Sequence, residues 1–178
     1  MRCARGVMWA IVVTVTFAAL PVFAQPATTN YTLNTGDRIA IEVFDEPELS
    51  VSALVDDSGA LSYPLLGAVQ VAGLTVRQLE SSITEGLRGR FLINPRVSVA
   101  MVEYRPFFVR GEVEKPGNYA FTPGLTVEKS VSIAGGFTDR ASPTKFFITS
   151  DIDGKRRSAA MGDRVAPGDI IEIEESFF

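Results

Sequence analysis

The sequence predicts an α+β fold that is mostly β, built as two small mixed-sheet domains. The chain has 178 residues, of which 46% are hydrophobic and 21% charged, and this composition is typical of a globular protein. Short runs of alternating apolar and polar residues predominate, as in strands with one buried face. Two segments have helical spacing instead, and each opens with the sequence Leu-Thr-Val.

The N-terminal segment is predicted to be a secretory signal peptide, residues 1–24, that is cleaved after Ala24. Arg2 and Arg5 precede the uncharged stretch Val7–Leu20, and small or apolar residues follow it. The alternative is an uncleaved membrane anchor, but this apolar core is shorter than the about 20 residues that a helical span needs. Cleavage would remove Cys3, so we expect a mature chain without lipid or cysteine. The loss of Arg2 and Arg5 would change its net charge from −4 to −6.

The first half of the mature chain contains the clearest helix signal. Thr75 is a candidate N-cap residue, and Gln78 stands three positions later, as in a capping box. An apolar stripe follows at helical spacing, so we predict a helix from about Val76 to Arg88. Strands are predicted over five alternating segments, of which the first two precede the domain boundary: residues 38–44, 96–103, 107–113, 145–150 and 170–174.

The second half is predicted to hold one short helix among its strands. Thr126 is the candidate cap, and Gly135-Gly136 supply the left-handed backbone that ends a helix, which gives about two turns. Gly111 lies within a predicted strand and indicates a bulge or a close approach of the backbone. Pro116-Gly117 predicts a turn, and Asp153-Gly154 a two-residue hairpin turn between residues 145–150 and residues 156–160.

The two halves also share a local motif. Gly36-Asp37 and Gly168-Asp169 each stand directly before an Ile-rich strand, where a Gly-Asp turn is favourable. Chance recurrence of turn residues is an alternative of about equal weight. We place the domain boundary near Pro106, which cannot donate a hydrogen bond to a continuing sheet. The predicted domains are residues 25–104 and 105–178.

Composition excludes several classes of function. The 17 basic and 21 acidic residues leave no basic excess for binding a nucleic-acid backbone. The absence of His and the single Cys remove the commonest general base, the thiol nucleophile and the usual zinc ligands. We therefore predict no catalytic residue, no metal site and no cofactor.

Four segments superficially resemble sites, and each has a simpler interpretation. Asp56-Asp57 is better read as a turn than as the carboxylate pair of a glycoside hydrolase. Residues 151–154 resemble the start of a calcium loop but lack its remainder, and a hairpin turn explains them better. Residues 111–117 lack the Gly-Lys-Ser/Thr ending of a phosphate loop. The cluster Lys155-Arg156-Arg157 is typical of a solvated strand edge, with binding to an acidic polymer or a neighbouring subunit as the minority alternative.

The order of short motifs along the chain resembles the bacterial polysaccharide export family. In that family an N-terminal export domain is followed by a soluble-ligand-binding β-grasp domain. The resemblance runs from Tyr31 to about Glu174 and rests on these segments: Tyr31-Thr32-Leu33, Gly36-Asp37, residues 55–59, residues 63–67, residues 71–75, residues 94–97, residues 109–113, Lys115-Pro116-Gly117, Tyr119 and Ala134-Gly135-Gly136.

This resemblance implies a periplasmic component of a capsule or exopolysaccharide export machine that forms part of an oligomeric conduit. The implied partners are the polysaccharide, further copies of the chain, an inner-membrane polysaccharide synthesis or chain-length complex, and a separate outer-membrane pore protein. The pore protein is implied because a lipidated N-terminus and a C-terminal amphipathic helix, both found in larger members of the family, are not expected here. The alternative is a non-conducting glycan-binding or regulatory adaptor of the synthesis complex.

Contacts with a glycan or a neighbouring subunit are expected from planar polar groups and aromatic rings near the domain boundary. A conduit should bind its polymer weakly at many places, so these contacts are expected to be individually weak. The candidate residues are Arg105, Arg110, Glu112, Lys115 and Tyr119.

Overall fold

The computed structural model describes residues 31–176, and the predicted signal peptide and its cleavage site lie outside this range. The structure is an α+β fold that is mostly β, as the sequence predicts. Two hydrophobic cores form, one on each side of residues 104–106.

The first domain packs one helix against a small three-stranded sheet. The sheet has the order β2-β1-β5, with antiparallel pairing throughout, and a separate hairpin is formed by β3 and β4. The elements are β1 (Arg38–Val43), β2 (Val51–Leu54), β3 (Ala60–Tyr63), β4 (Gly67–Gln70), α1 (Val76–Leu87) and β5 (Val97–Glu103), with a 3₁₀ turn at Pro47–Leu49.

Helix α1 confirms the helix predicted from the capping motif. The Gln78 backbone N–H donates to Thr75 Oγ1 at 3.3 Å, and the Thr75 N–H donates to Gln78 Oε1 at 2.8 Å, which completes a capping box. Leu79, Ile83 and Leu87 are fully buried and face the sheet. The helix stripe therefore forms the centre of the first core.

The second domain is a five-stranded mixed sheet that carries one short helix. The strand order is β7-β6-β10-β8-β9, and β10 runs parallel to β6 while the other pairs are antiparallel. The elements are β6 (Phe107–Gly111), β7 (Gly117–Tyr119), α2 (Val127–Ile133), β8 (Ala141–Thr149), β9 (Arg156–Ala159) and β10 (Ile170–Glu175). Thr126 caps α2 and accepts from the Lys129 N–H, so the short second helix is also confirmed.

Gly111 makes the close backbone approach that its position in a strand predicts. Its φ is +88°, and an added Cβ would lie 2.0 Å from the carbonyl oxygen of Ile173. Only glycine fits there, because a side chain would overlap the neighbouring strand β10.

The hairpin between β8 and β9 differs from the sequence prediction. The loop has four residues, Asp151–Gly154, and is closed by the Ser150 N–H donating to the Lys155 carbonyl at 3.1 Å. The prediction of a two-residue turn at Asp153-Gly154 was therefore wrong. Asp151, in this longer loop, pairs with Arg105, which lies in the segment that joins the two domains.

The helices within residues 31–176 are too short or too polar to cross a membrane.

Candidate functional site

The two Gly-Asp motifs form the same turn. Gly36 has a φ of +88° and Gly168 a φ of +86°, the left-handed backbone that glycine favours. In each turn the Asp carboxylate accepts from the backbone N–H three residues earlier, at 2.9 Å for Asp37 and 2.8 Å for Asp169. Both aspartates are buried. The shared motif is therefore a repeated local structure.

These two turns meet at Arg105, in the segment that joins the domains. An added Cβ at Gly36 would lie 3.4 Å from the Arg105 Cβ, and one at Gly168 would lie 2.6 Å from Arg105 Nε. The Gly168 N–H also donates to the carbonyl oxygen of Pro106 at 3.2 Å. The turn of each domain thus packs against the connecting segment, and glycine makes room for the arginine side chain.

Arg105 is the centre of a buried polar network. Its backbone N–H donates to Asp37 Oδ1 at 3.1 Å, and its Nη1 donates to the Tyr31 hydroxyl at 2.9 Å and to Asp37 Oδ2 at 3.4 Å. The Tyr31 hydroxyl in turn donates to Asp37 Oδ2 at 2.5 Å. The side chain of Arg105 is 7% exposed and that of Asp37 is fully buried. Opposite charges compensate each other at this depth, where an unpaired charge would be costly.

The same arginine reaches the second domain through Asp151. Arg105 Nε lies 3.0 Å from Asp151 Oδ2, but its N–H does not point at this oxygen, so the contact is an ion pair without a directed hydrogen bond. Asp151 is 41% exposed, and water therefore screens this contact more than it screens the one with Asp37. Arg105 binds firmly to the first domain and more weakly to the second.

Burial raises the pKa of one residue at each turn, namely Tyr31, which bonds to the first turn, and Asp169 in the second. Burial, together with the hydrogen bond to Asp37, raises the pKa of the Tyr31 hydroxyl well above its ordinary value. Tyr31 therefore remains a neutral donor to Asp37. Burial also raises the pKa of the Asp169 carboxyl, against the opposing effect of hydrogen bonds from the backbone N–H groups of Ala166 and Asp151.

Aromatic rings line the junction beside this network. Tyr104 stands edge-on to Tyr31, with ring centroids 5.1 Å apart, and edge-on to Phe121 of the second domain at 5.4 Å. A groove of about 310 Å³ opens next to these three rings, with Pro123, Arg164 and Pro167 on its other walls. Both domains contribute to this surface.

The outer face of the second sheet carries an exposed charge ladder. Glu172 accepts from Arg110 and from Arg156, each at 3.1 Å, and Arg156 also donates to Glu174 at 2.8 Å. The guanidinium of Arg156 lies 3.6 Å from the ring centroid of Phe147. Partial burial alone would raise the pKa of Glu172, but the hydrogen bonds from both arginines outweigh it and lower the pKa.

The other predicted contact residues lie near α2 rather than on this ladder. Glu112 accepts from the Thr138 hydroxyl at 2.5 Å, and Lys115 is exposed. The Tyr119 hydroxyl donates to the Lys115 carbonyl, and its ring packs on Phe107 with centroids 5.8 Å apart. The structure thus separates the five candidates into a buried Arg105, a ladder residue Arg110, and a cluster next to α2. Their contact with a glycan or a subunit stays a prediction.

The acidic segments form turns. Asp56 Oδ1 accepts from the Ser58 hydroxyl at 2.5 Å and from the Ser58 and Ala60 N–H groups at 2.9 and 3.0 Å. These hydrogen bonds, that of the Ser58 side chain foremost, lower the pKa of Asp56. Among residues 31–176 no three acidic, His or Cys side chains are grouped as metal ligands would be.

Tyr31 and Asp37 were not singled out as functional residues by sequence reasoning. The repeated Gly-Asp motif was the one sequence signal that pointed to Asp37, because it marks two equivalent turns that a single arginine can contact. Tyr104 was one of the aromatic residues considered for stacking on a sugar, but Phe121 carried no distinguishing pattern, since its contact with Tyr104 joins residues from different domains.

Two models of known families match the chain in tandem, one in each domain. Residues 25–102 match the polysaccharide biosynthesis/export protein family, and residues 106–158 match the SLBB domain. The fold and these matches define a two-domain protein in which an export-type domain precedes an SLBB domain. The chain belongs to the bacterial polysaccharide export protein family.

Three curated relatives are similar to this chain. The exopolysaccharide production protein ExoF of Rhizobium meliloti is 35% identical over 66% of this chain and 28% of its own length. The EPS I polysaccharide export outer membrane protein EpsA of Ralstonia nicotianae is 30% identical over 61% of this chain and 35% of its own length. The polysialic acid transport protein KpsD of Escherichia coli is 28% identical over 60% and 20%. The chain thus spans about a third or less of the length of these relatives.

Proposed function

We propose that this protein is a periplasmic component of a machine that exports capsule or exopolysaccharide. The observation that carries the proposal is the tandem match of an export-type domain and an SLBB domain. Relatives named for polysaccharide export and for polysialic acid transport support the same task. The protein handles the polymer and does not cleave it.

The protein acts as one wall element of an oligomeric conduit. Such an element has to keep its two domains in a fixed arrangement while the polymer passes. Support for this role comes from the Arg105 network, which ties Asp37 of the first domain and Asp151 of the second domain to the same guanidinium. Further copies of the chain, an inner-membrane synthesis or chain-length complex and an outer-membrane pore protein are the proposed partners.

Exposed polar groups on the second domain supply the weak contacts that a conduit needs. Arg110 and Lys115 are both solvent-accessible, and Arg110 lies on the outer face of the sheet. Contacts at these residues, with glycan or with a neighbouring copy, would be individually weak because exposed ion pairs contribute little.

A deletion strain tests the proposal. Polysaccharide is measured separately in the medium, on the cell surface and inside the cells, with and without the gene restored. We expect the exported fraction to fall and the retained fraction to rise after deletion, with recovery on complementation. Unchanged export would contradict the proposal. A fall in total polymer without retention would favour the regulatory adaptor, as would a strictly monomeric protein in light scattering with and without its partners.

A further inference from the structure

The groove at the domain junction has the composition of a ligand site. Its volume of about 310 Å³ is at the lower end of the ~300–1,000 Å³ typical of small-molecule sites, which often lie between domains. Tyr31 and Tyr104 line it from the first domain, and Phe121, Pro123, Arg164 and Pro167 from the second. The available space suits one or two sugar rings.

The walls of the groove are aromatic and proline rings. Tyr104 is held edge-on between Tyr31 and Phe121, and this T-shaped packing fixes the three rings relative to one another. Rigid aromatic surfaces stack on the C–H faces of pyranose rings at a low cost in side-chain entropy.

Two residues that line the groove carry polar groups without a hydrogen-bond or ion-pair partner in the described part of the chain. Within residues 31–176, the Tyr104 hydroxyl has no hydrogen-bond partner and the exposed Arg164 guanidinium has no ion-pair partner. The Tyr31 hydroxyl, by contrast, is already bonded to Asp37 and Arg105. The groove therefore offers one free hydroxyl and one free cation among apolar walls, which are a few polar groups placed to orient a ligand.

We propose that this groove is a subsite for a saccharide unit that bears a carboxylate. A planar guanidinium matches a carboxylate in a bidentate pair, and the aromatic walls match the sugar ring. A single Arg164 balances one negative charge, whereas a phosphate monoester carries about −1.5 to −2 at neutral pH. The proposal deepens the proposed function and rests on it, because it names the chemical class of the polymer.

The segment that precedes Tyr31 is a less suitable occupant. Tyr31 lines the groove and is the first residue that the structure describes, so the segment before it is the candidate occupant from this chain. Their sequence, Gln-Pro-Ala-Thr-Thr-Asn, contains no acidic residue to pair with Arg164. A negatively charged ligand from outside the chain complements the groove better.

Titration with tetragalacturonate, followed by amide chemical shifts in NMR, tests the proposal. The protein is purified from cells that express the full chain, and maltotetraose serves as the neutral probe. We expect tetragalacturonate to shift the resonances of Tyr104, Phe121 and Arg164 and to bind more tightly than maltotetraose. The variant Arg164→Gln should bind about tenfold more weakly, the loss expected for one charge-assisted hydrogen-bond pair.

Arg77→Gln is the matched control, because Arg77 is an exposed arginine on α1 of the first domain and does not line the groove. This variant should leave binding unchanged. Tyr104→Phe removes only the free hydroxyl and should weaken binding less than Arg164→Gln does. Equal binding by wild type and Arg164→Gln would overturn the proposal, and so would no binding at millimolar tetragalacturonate. Nuclear Overhauser contacts between residues 25–30 and Phe121 in the free protein would also overturn it.

The deletion strain separates this proposal from the function on which it rests. If deletion stops export but the binding of tetragalacturonate does not depend on Arg164, only the assignment of the groove as a saccharide subsite fails. If tetragalacturonate binds through Arg164 while the deletion strain exports normally, the groove binds acidic saccharide but the proposed function fails.

Discussion

The molecule contains two arginine-carboxylate clusters of similar composition in very different surroundings. At the domain junction Arg105 lies between Asp37 and Asp151, and its side chain is 7% exposed. On the outer face of the second sheet Arg156 lies between Glu172 and Glu174, and its side chain is 43% exposed. The first cluster connects two domains, whereas the second connects β9 and β10 of one sheet across the intervening strand β8.

Burial, more than the number of ion pairs, determines how much such a cluster contributes to the free energy of unfolding. Water and salt screen the exposed pairs, so each contributes about 0–1 kcal/mol. Removing one partner from a buried pair leaves an uncompensated charge, which costs about 3–5 kcal/mol. The junction should therefore be sensitive to substitution and the ladder tolerant of it.

Replacing Arg105 should have the largest effect. Arg105→Ala leaves the fully buried Asp37 carboxylate without its cation, and we expect a loss of about 3–5 kcal/mol in the free energy of unfolding. Urea denaturation measures it. Arg110→Ala, which removes a pair on the exposed ladder, is the control and should cost less than about 1 kcal/mol. Similar losses for the two variants would break the comparison.

Gly168 tests the space beside the arginine. Gly168→Ala places a Cβ 2.6 Å from both Arg105 Nε and Asp151 Oδ2, at a φ of +86°. Gly154→Ala also has a positive φ, +64°, but its Cβ meets nothing within 4 Å. We expect Gly154→Ala to cost about 1–2 kcal/mol for the backbone alone, and Gly168→Ala to cost clearly more in thermal or urea unfolding. Equal losses of stability in Gly168→Ala and Gly154→Ala would contradict this expectation and would show that Arg105 can move away from the added methyl group at no cost.

Tyr31 tests the hydrogen bonds within the junction. Tyr31→Phe keeps the ring contact with Tyr104 but removes the donor to Asp37 and an acceptor for Arg105. The expected loss is about 1–3 kcal/mol, the cost of leaving buried polar groups unsatisfied. Tyr119→Phe, whose hydroxyl bonds to a backbone carbonyl at the surface, is the control and should change unfolding less. The reverse order would contradict the importance of the buried network.

Replacing Glu172 should have the smallest effect on the free energy of unfolding, and this effect should depend on pH and salt. Its folded pKa is lowered, so its charge stabilises the protein above its unfolded pKa, and this stability is lost as the pH falls through the folded pKa. Glu172→Gln should therefore cost less than about 1 kcal/mol at pH 7, and less still at pH 3 or in high salt. Urea unfolding of wild type and Glu172→Gln under these conditions measures this cost. A cost that grew at acidic pH would contradict the lowered pKa of Glu172.

Local sequence signals were sufficient for both helices and for part of each sheet. Thr75 with Gln78, and Thr126 with Gly135, mark helix ends through backbone hydrogen bonds that lie within a few residues. The strands β2, β3, β4 and β7 were not predicted, because three or four residues are too few to establish a period of two. Strand β8 also begins four residues before its predicted start.

The junction could not be predicted from the sequence because it depends on contacts between distant residues. Arg105 stands beside Pro106 at the domain boundary, where an arginine is ordinarily solvent-exposed, and its burial follows from Asp37, 68 positions earlier. The pairing of Asp151 with Arg105 was unpredictable for the same reason, since the two residues are distant in the sequence. The repeated Gly-Asp motif indicated two equivalent turns but did not indicate that they meet.

Scanning calorimetry of the wild type and of Arg105→Leu tests most directly whether the buried arginine joins the two domains into one unit. We expect a single cooperative transition for the wild-type protein and two separate transitions for the variant, because each domain has its own core. Two transitions in the wild type, or one unchanged transition in Arg105→Leu, would contradict it.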